Sequence, residues 1–314
     1  MKKTWKRIFY CCFLLLPATS GYARGADLGV VYPQLREPYN QVFQAIIKGI
    51  EQGSSDGIDL YVLASPADMD NLTGYIIEKK NKVILALGAR GVEAVEKLTV
   101  EIPIVLGAVL PRSLKTVEKI YSGIMLLPDP ELLFSQLLKF APHIKEILVV
   151  YNPKNNALLI NAAQKAANLM RLTLTLHAAT DLKGATSQYQ KLLENVDPKT
   201  QALWLVQDAT TLNPDVVLPE ILRKSWSKNL IIFSNSLLHA KRGALFSMYP
   251  NNFAMGQDLA VLALKQRANE KGETSDINLL RSLRVAVNTR TAKHLGIQFN
   301  KQQSRSFDLT FPRR

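Results

Sequence analysis

The chain has 314 residues, of which 47% are hydrophobic, and a formal net charge of +13. This length permits a large core without cross-links and favours two units of ordinary domain size over one. The basic residues are scattered, and no basic stripe is interleaved with aromatic residues. The charge therefore indicates a solvated basic surface, and we expect no binding to nucleic acid.

Residues 1–23 have the features of a secretory signal peptide. A positively charged segment precedes the unbroken apolar run 8–16, which Pro17 ends. Gly21 and Ala23 then place small residues before a cleavage site. A membrane span needs about 20 apolar residues, so an uncleaved anchor is the weaker interpretation. We therefore predict cleavage after Ala23 and export to the periplasm.

Cleavage would change both the charge and the cysteine content of the chain. It would remove four basic residues and lower the formal charge from +13 to +9. Cys11 and Cys12 are the only cysteines of the sequence, and both lie within the predicted signal peptide. Their context does not suggest a lipoprotein site. The mature chain would therefore contain no disulfide, thiolate metal site or cysteine nucleophile.

Strands and helices are predicted to alternate along the mature chain. The predicted strands include residues 28–32, 59–63, 82–87, 103–106, 147–151, 172–177, 202–206, 230–233, 244–247 and 284–288. Helical spacing of apolar residues separates most of them, as in 42–50, 92–98 and 253–264. Such βαβ series form parallel sheets with right-handed crossovers. We also expect a polar surface loop at 268–276.

The pattern predicts an α/β fold of two doubly wound parallel-sheet lobes with a hinge and an interlobe cleft. The N-terminal lobe would comprise residues 24–125 with part of 248–280, and the C-terminal lobe 126–247 with part of 281–300. Residues 301–314 are expected to form a polar tail. In such sheets, ligands bind beyond the carboxyl ends of the strands.

Residues 147–156 show how the cleft would be built. Ile147 to Tyr151 form an apolar strand that should be buried on both faces. Pro153 ends the strand, because proline lacks a ladder donor and restricts the residue before it. Apolar residues at helical spacing follow from Asn156. This strand–turn–helix marks where a ligand is expected to lie, but it does not identify the ligand.

Several short motifs, taken in order, are similar to those of one family. They are residues 86–88, 102–105, 149–153, 203–210, 233–245, 287–288 and 292–297. The ordered set spans nearly the whole mature chain and resembles the type I periplasmic-binding-fold ABC transporter substrate-binding proteins. The better-known members of that group take up aromatic amino acids.

The resemblance implies a receptor that closes around a small organic ligand and then docks on a membrane ABC permease. It implies no enzymatic activity and no cofactor, and we expect a monomer. The sequence itself contains no G-x-S-x-G, P-loop or complete G-x-G-x-x-G motif, and its four histidines lack paired metal spacing. An alternative remains: a sensing or interaction module that signals to a membrane partner without transport.

The resemblance also suggests binding residues in the C-terminal lobe. Asp208 matches the family's acidic position that meets a ligand ammonium, although it could instead cap the following segment. Asn155 and Asn156 would either bind ligand from the helix N-terminus or cap that helix. The polar residues that the family places next are replaced here by Ala157 and Leu158.

A second group of candidates comes from neighbouring turns. The amides around Gly88 and Ala89 would hold an acidic group, or the glycine would merely permit a tight turn. The family commonly has a hydroxyl residue at Ala89. The family's second acidic position falls on Ser236, preceded by Asn235. Loss of a charged hydrogen bond costs about 1.5–3 kcal/mol, so we expect weaker binding of an α-amino acid than in typical members.

The last candidates stand at strand ends. Tyr32, Tyr249 and Asn251 are expected to face the cleft, where aromatic walls would suit an apolar or aromatic ligand. Packing in the core is the alternative for Tyr249.

Overall fold

The computed structural model describes residues 26–111, 121–268 and 277–312. The predicted signal peptide lies outside the described residues, as does the surface loop apart from Ala268. The described residues form two lobes, each built around one sheet with helices on both faces. The predicted fold class, two α/β lobes with parallel sheets and a cleft between them, is confirmed.

The first part of the chain builds most of one lobe. Its elements are β1 (Leu28–Pro33), α1 (Tyr39–Gly53), β2 (Asp59–Leu63), α2 (Pro66–Lys79), β3 (Val83–Leu87), α3 (Gly88–Glu96), β4 (Ile104–Val109) and β5 (Ser122–Pro128). The middle strand β3 is buried at every position, whereas β2 at the sheet edge alternates between buried and more exposed residues. Unbroken and alternating apolar patterns thus separate central from edge strands.

The second part of the chain builds the other lobe. Its elements are α4 (Pro130–Phe140), β6 (Glu146–Tyr151), α5 (Pro153–Leu169), β7 (Thr173–Ala178), α6 (Leu182–Asn195), β8 (Gln201–Leu205), α7 (Val217–Lys228), β9 (Ile231–Ser234), α8 (Leu237–Arg242) and β10 (Phe246–Pro250). The chain then returns to the first lobe with α9 (Asn252–Ala268) and β11 (Ile277–Leu280). It ends in the second lobe with β12 (Leu283–Asn288), α10 (Thr289–His294), α11 (Lys301–Arg305) and β13 (Leu309–Phe311).

The strand order defines the two lobes. Lobe one contains a six-stranded sheet with the order β11-β5-β4-β3-β1-β2, and all its neighbours are parallel. Lobe two contains a seven-stranded sheet with the order β13-β12-β10-β9-β8-β6-β7. Here β10 and β12 are antiparallel, unlike the predicted all-parallel sheet. The reason is topological, because β10 runs toward lobe one while β12 returns from it.

Three segments of the chain cross between the lobes. They follow β5 at Asp129, β10 at Asn251, and β11 at Arg281 and Ser282. The Asp129 amide donates to the Leu280 carbonyl at 3.0 Å, and the Asn251 amide donates to the Ser282 carbonyl at 2.9 Å. The crossings are therefore joined to each other by backbone hydrogen bonds, which makes them one hinge.

Charged side chains reinforce this hinge. The Asp129 carboxylate accepts a hydrogen bond from the Glu131 amide at 2.9 Å and so caps α4. The Arg281 guanidinium lies 2.5 Å from the Asp129 carboxylate and 3.1 Å from that of Glu131. These acids raise the pKa of Arg281, with the Glu131 hydrogen bond as the largest cause. The ion pair links the first and third crossings.

The C-terminal segment differs from the prediction. Residues 301–312 are not a separate polar tail, because α11 and β13 lie within them. Strand β13 pairs in parallel with β12 at the edge of the lobe-two sheet, and Phe311 is buried there. Only three residues form this strand, and the segment has few apolar side chains, chiefly Phe307, Leu309 and Phe311. Tertiary pairing, rather than local pattern, places the segment in the fold.

Helix α9 returns to lobe one and packs closely on α1. A Cβ atom added to Gly256 would lie 2.0 Å from the Ile46 carbonyl oxygen, and one added to Gly49 would lie 2.0 Å from that of Phe253. The two helix backbones therefore approach within a distance that only glycine permits at these positions.

We expect Gly256→Ala to lower the free energy of unfolding by about 1–3 kcal/mol, because the added methyl group overpacks the α1–α9 contact. Gly74→Ala is the matched control, since its Cβ would meet nothing within 4 Å on α2. That change should stabilise the protein by up to about 1 kcal/mol through helix propensity. Urea unfolding of both variants checks the pair, and equal effects would contradict the packing account.

Candidate functional site

A cavity of about 510 Å³ opens between the two lobes. Lobe one contributes the residues that follow β4, the hinge strand β5 contributes one side chain, and lobe two contributes the start of α5 and the loop after β8. The lining residues are Leu110, Pro111, Leu127, Lys154, Asn155, Asn156, Ala157, Leu158, Gln207, Asp208, Ala209 and Thr210. We call this the interlobe cavity. Its volume is in the range of small-molecule sites.

The start of α5 forms one side of the cavity. Asn152 is the N-cap, and its side chain accepts a hydrogen bond from the Lys154 amide at 3.0 Å, while Pro153 takes the first helical position. The Asn152 side-chain amide also donates to Thr210 Oγ1 at 3.0 Å. Asn152 therefore caps the helix, and Asn155 and Asn156 do not have the capping role that the sequence left open for them.

Asn155 and Asn156 instead contact Asp208. Asn156 Nδ2 donates to Asp208 Oδ2 at 2.5 Å, and Asn155 Nδ2 lies 3.4 Å from both carboxylate oxygens. The Thr210 amide and hydroxyl donate to Asp208 Oδ1 at 2.9 and 2.7 Å. Asp208 thus closes its own turn, as the capping alternative predicts, and also joins the β8 loop to α5.

The cavity combines this polar floor with an apolar wall. Leu110 and Leu158 have 38% and 40% of their surface exposed, and Pro111 and Leu127 lie beside them. Exposed leucines that line a cleft gain free energy when an apolar body covers them. The site can therefore hold a small molecule that has one polar end and one apolar part.

Backbone conformation and close packing require a glycine in the turn before α3. Gly88 has a φ of +71°, and an added Cβ would lie 3.0 Å from the ring of Phe43. No side-chain hydrogen bond caps α3, whose first exposed residue is Ala89. The glycine alternative, a tight turn, therefore accounts for Gly88, and neither Gly88 nor Ala89 lines the interlobe cavity.

Asn235 and Ser236 lie behind the Asp208 loop. The buried Asn235 side chain accepts a hydrogen bond from the Gln207 amide at 3.1 Å. The Ser236 amide donates to Ser234 Oγ at 3.0 Å. Neither residue lines the interlobe cavity. Asn235 instead positions the backbone that presents Asp208.

The three strand-end candidates have packing or hinge contacts. Tyr32 is 9% exposed within the core between the lobe-one sheet and helices α1 and α9. Tyr249 packs against the small cluster of α8, β12 and β13 that contains Phe311, as the core alternative predicts. Asn251 accepts from the Ala254 amide at 3.3 Å at the start of α9. None of the three lines the interlobe cavity.

Sequence reasoning missed several lining residues. Thr210 stands two residues after Asp208, the spacing of an Asx turn, and this pattern could have identified it. Lys154 adjoins the predicted asparagines. Leu110 and Pro111 had no comparable signal, because only the approach of lobe one brings them to the cavity.

The described residues contain no cluster of metal-ligating side chains and no helix that is long and apolar enough to cross a membrane.

One histidine of lobe two, His239, is buried and has structural contacts. His239 on α8 is 5% exposed, and its Nδ1 lies 2.7 Å from Ser234 Oγ, which in turn donates to the Leu205 carbonyl at 2.8 Å. Burial, assisted by the charge of Arg242, lowers the pKa of His239 to about 4.

Solved structures share this two-lobed fold. The ligand-free, open structure of CD0873, a substrate-binding protein with adhesive properties from Clostridium difficile, is 18% identical, with a TM-score of 0.64; the match covers 90% of this chain and 98% of that one. The ABC domain in complex with L-Trp from Streptococcus pneumonia is 16% identical, with a TM-score of 0.51 and coverage of 91% and 100%. These likenesses identify a bilobed fold of the periplasmic-binding type.

The sequence match assigns the family. The family model described as "ABC transporter substrate binding protein" matches residues 39–307. The chain therefore belongs to the ABC transporter substrate-binding protein family, which is a class of solute-binding proteins. A sequence comparison with curated proteins gave no match.

We expect the stability of the protein to fall by up to about 3 kcal/mol, through His239 alone, as the pH decreases from 6.5 toward 4. The folded-state pKa lies below the unfolded value, so protonation favours unfolding across this window. The control is His239→Gln, which removes the titrating group. Chemical denaturation at several pH values should show a shallower acid dependence for the variant; an unchanged dependence would contradict the assignment.

Proposed function

We propose that the protein is an exported receptor that captures a small organic ligand in the interlobe cavity and delivers it to a membrane ABC permease. The observation that supports this proposal is the arrangement of Asp208, Asn155 and Asn156 opposite apolar side chains from lobe one and the hinge strand. A ligand that contacts both walls would favour the closed arrangement of the lobes, because only that arrangement provides both sets of contacts.

We propose a ligand with a cationic or hydrogen-bond-donating end next to Asp208. The carboxylate already accepts from Asn155, Asn156 and Thr210. A ligand ammonium would share the carboxylate with these donors, or it would replace the long 3.4 Å contact from Asn155 first. The network holds the carboxylate in one orientation, so little side-chain entropy would be lost on binding.

The apolar wall supports a ligand with an apolar body. Leu110, Leu127 and Leu158 line the cavity beside the polar floor. Burial of apolar surface contributes about 25 cal/mol per Å². An amino-acid-like molecule fits this pairing of features, and one related structure carries L-Trp. Ser236 offers no second carboxylate, so the ligand's ammonium, if it has one, would rely on Asp208 alone.

The location and partner form part of the proposal. The sequence of residues 1–23 supports export through a cleaved signal peptide. Family membership supports docking of the closed form on a permease. The protein would act as a monomeric binding protein with no catalytic step.

A thermal-shift screen of amino acids, peptide fragments and small organic acids tests the function. A ligand present at 100 times its Kd should stabilise the folded protein by about 2.7 kcal/mol. Native mass spectrometry of the purified protein would reveal a retained ligand. If no compound of these classes shifts the melting temperature and none is retained, the receptor proposal fails.

The variant Asp208→Asn tests the site. We expect ligand affinity to fall about 10- to 100-fold, because a charged hydrogen bond worth about 1.5–3 kcal/mol is lost. Asp70→Asn is the matched control, since Asp70 is an exposed carboxylate on α2 in lobe one. Isothermal titration of both variants with the identified ligand checks the expectation. Equal affinity in Asp208→Asn and the control would remove Asp208 from the site.

A further inference from the structure

A second cavity, of about 370 Å³, lies in lobe two away from the interlobe cavity. It is formed by α7, the start of β9, the end of α8 and the length of α10, with one residue at the end of β12 and one directly after β13. The lining residues are Leu222, Arg223, Ser225, Trp226, Leu230, Ile232, Lys241, Arg242, Gly243, Asn288, Arg290, Thr291, His294, Leu295 and Pro312. We call this the distal cavity. Its volume also falls within the range of small-molecule sites.

The distal cavity lies at the opposite end of the lobe-two sheet from Asp208. Asp208 follows the carboxyl end of β8, which runs parallel to β9. The distal cavity instead includes Leu230, just before the amino end of β9, and Asn288 at the carboxyl end of β12, which runs antiparallel to β10. All its lining residues belong to lobe two, so its shape does not depend on closure of the hinge.

An aromatic platform forms part of this cavity. The rings of Trp226 and His294 are stacked, with centroids 3.7 Å apart and planes 11° apart. His294 Nε2 also lies 2.9 Å from the Trp226 carbonyl oxygen. The Arg290 guanidinium carbon is 5.5 Å from the Trp226 ring centroid, within cation–π range. Trp226 remains 38% exposed, so part of its surface is open to a ligand.

All the charged side chains that line the distal cavity are basic. Arg223, Lys241, Arg242 and Arg290 line the distal cavity, and no carboxylate does. Arg223 and Arg242 pair at 2.8 Å with acids outside the lining, Glu220 and Asp215 respectively. Among the described residues, Lys241 and Arg290 have no carboxylate within 4.0 Å. Two cations thus face the cavity without compensating charge.

Buried polar contacts hold these groups in place. The Asn288 side chain, 6% exposed, donates to the Ala240 carbonyl at 2.9 Å and accepts from the Thr291 amide at 3.0 Å. Thr291 Oγ1 donates to the Gly243 carbonyl at 2.9 Å. These bonds join the end of α8, which carries Lys241, to α10, which carries Arg290. The backbone positions that carry the two cations are therefore held relative to each other, while the two side chains themselves are exposed.

We propose that the distal cavity is a second binding site, separate from the interlobe cavity, for a small organic anion. The carboxylate or phosphate oxygens of the ligand bind Lys241 and Arg290, whose ammonium and guanidinium groups donate charge-assisted hydrogen bonds. An apolar part of the ligand contacts the exposed part of Trp226 beside these cations. Because the site lies within one lobe, it binds its anion in the open and in the closed arrangement alike.

Tryptophan fluorescence of the purified protein tests this site directly. The sequence has three tryptophans: Trp5 lies in the predicted signal peptide, and Trp204 is 1% exposed in the lobe-two core. Trp226 is therefore the reporter, and Trp226→Phe should abolish the response. We expect benzoate to change the fluorescence saturably, inorganic phosphate to do so or to compete with benzoate, and benzylamine to have no effect.

The double variant Lys241→Gln/Arg290→Gln should weaken benzoate binding at least about tenfold, since two charge-assisted contacts are lost. The control Lys165→Gln removes an exposed charge on α5 and should bind as the unmodified protein does. Circular dichroism verifies that each variant is folded. The proposal would be overturned if the double variant bound benzoate as well as the unmodified protein does. It would also be overturned if benzylamine gave an equal response, or if neither anion gave a saturable response. A response to benzoate alone would identify the ligand class as an aromatic carboxylate. A response to phosphate alone would show that the site recognises anionic oxygens without an aromatic ring.

Discussion

The hinge depends on Asp129, which makes three contacts with neighbouring segments. The backbone amide of Asp129 binds the end of β11, its carboxylate caps α4, and the same carboxylate pairs with Arg281. The first and third crossings are therefore joined at the point where lobe two begins. A chain that crosses between lobes three times needs such cross-links, because the crossings would otherwise be separate exposed linkers. The joined crossings hold the two lobes on either side of one cleft.

The interlobe cavity follows from this arrangement. The carboxyl ends of β6 and β8 carry the start of α5 and the Asp208 loop, while β4 ends opposite them in lobe one. Asp208 makes structural hydrogen bonds and is also partly exposed. Its own loop and two asparagines of α5 satisfy it in this arrangement of the lobes, which fixes the direction of its carboxylate. These contacts agree with the capping interpretation that the sequence left open, and binding of a ligand by the same carboxylate is our proposal.

The two cavities of lobe two differ in charge and mechanics. The interlobe cavity presents a carboxylate and is completed by lobe one, so in our proposal a ligand there is coupled to hinge closure. The distal cavity presents Lys241 and Arg290 beside an aromatic stack and lies within one lobe. The two sheet ends therefore suit ligands of opposite charge. Only the interlobe cavity is lined by both lobes, so only its shape depends on how the lobes are placed relative to each other.

The sequence by itself determined the α/β class, the order of most strands and helices, and the position of Asn155, Asn156 and Asp208 at turns that follow strands. These features follow from short-range patterns: apolar runs, helical spacing and strand-end turns. The sequence analysis did not decide whether Asn152, Asn155 or Asn156 caps α5, since all three stand near the start of that helix. That distinction depends on the backbone geometry of the turn.

Tertiary structure alone decided the remaining features. Strand β13 exists because β12 offers it an edge, and the antiparallel pairing of β12 with β10 follows from the third crossing. Tyr32 and Tyr249 pack in cores because neighbouring helices cover them. Leu110 reaches the interlobe cavity, and Trp226 meets His294, across separations of chain that no local pattern spans. Such contacts depend on long-range packing, whose free energy no short stretch of sequence encodes.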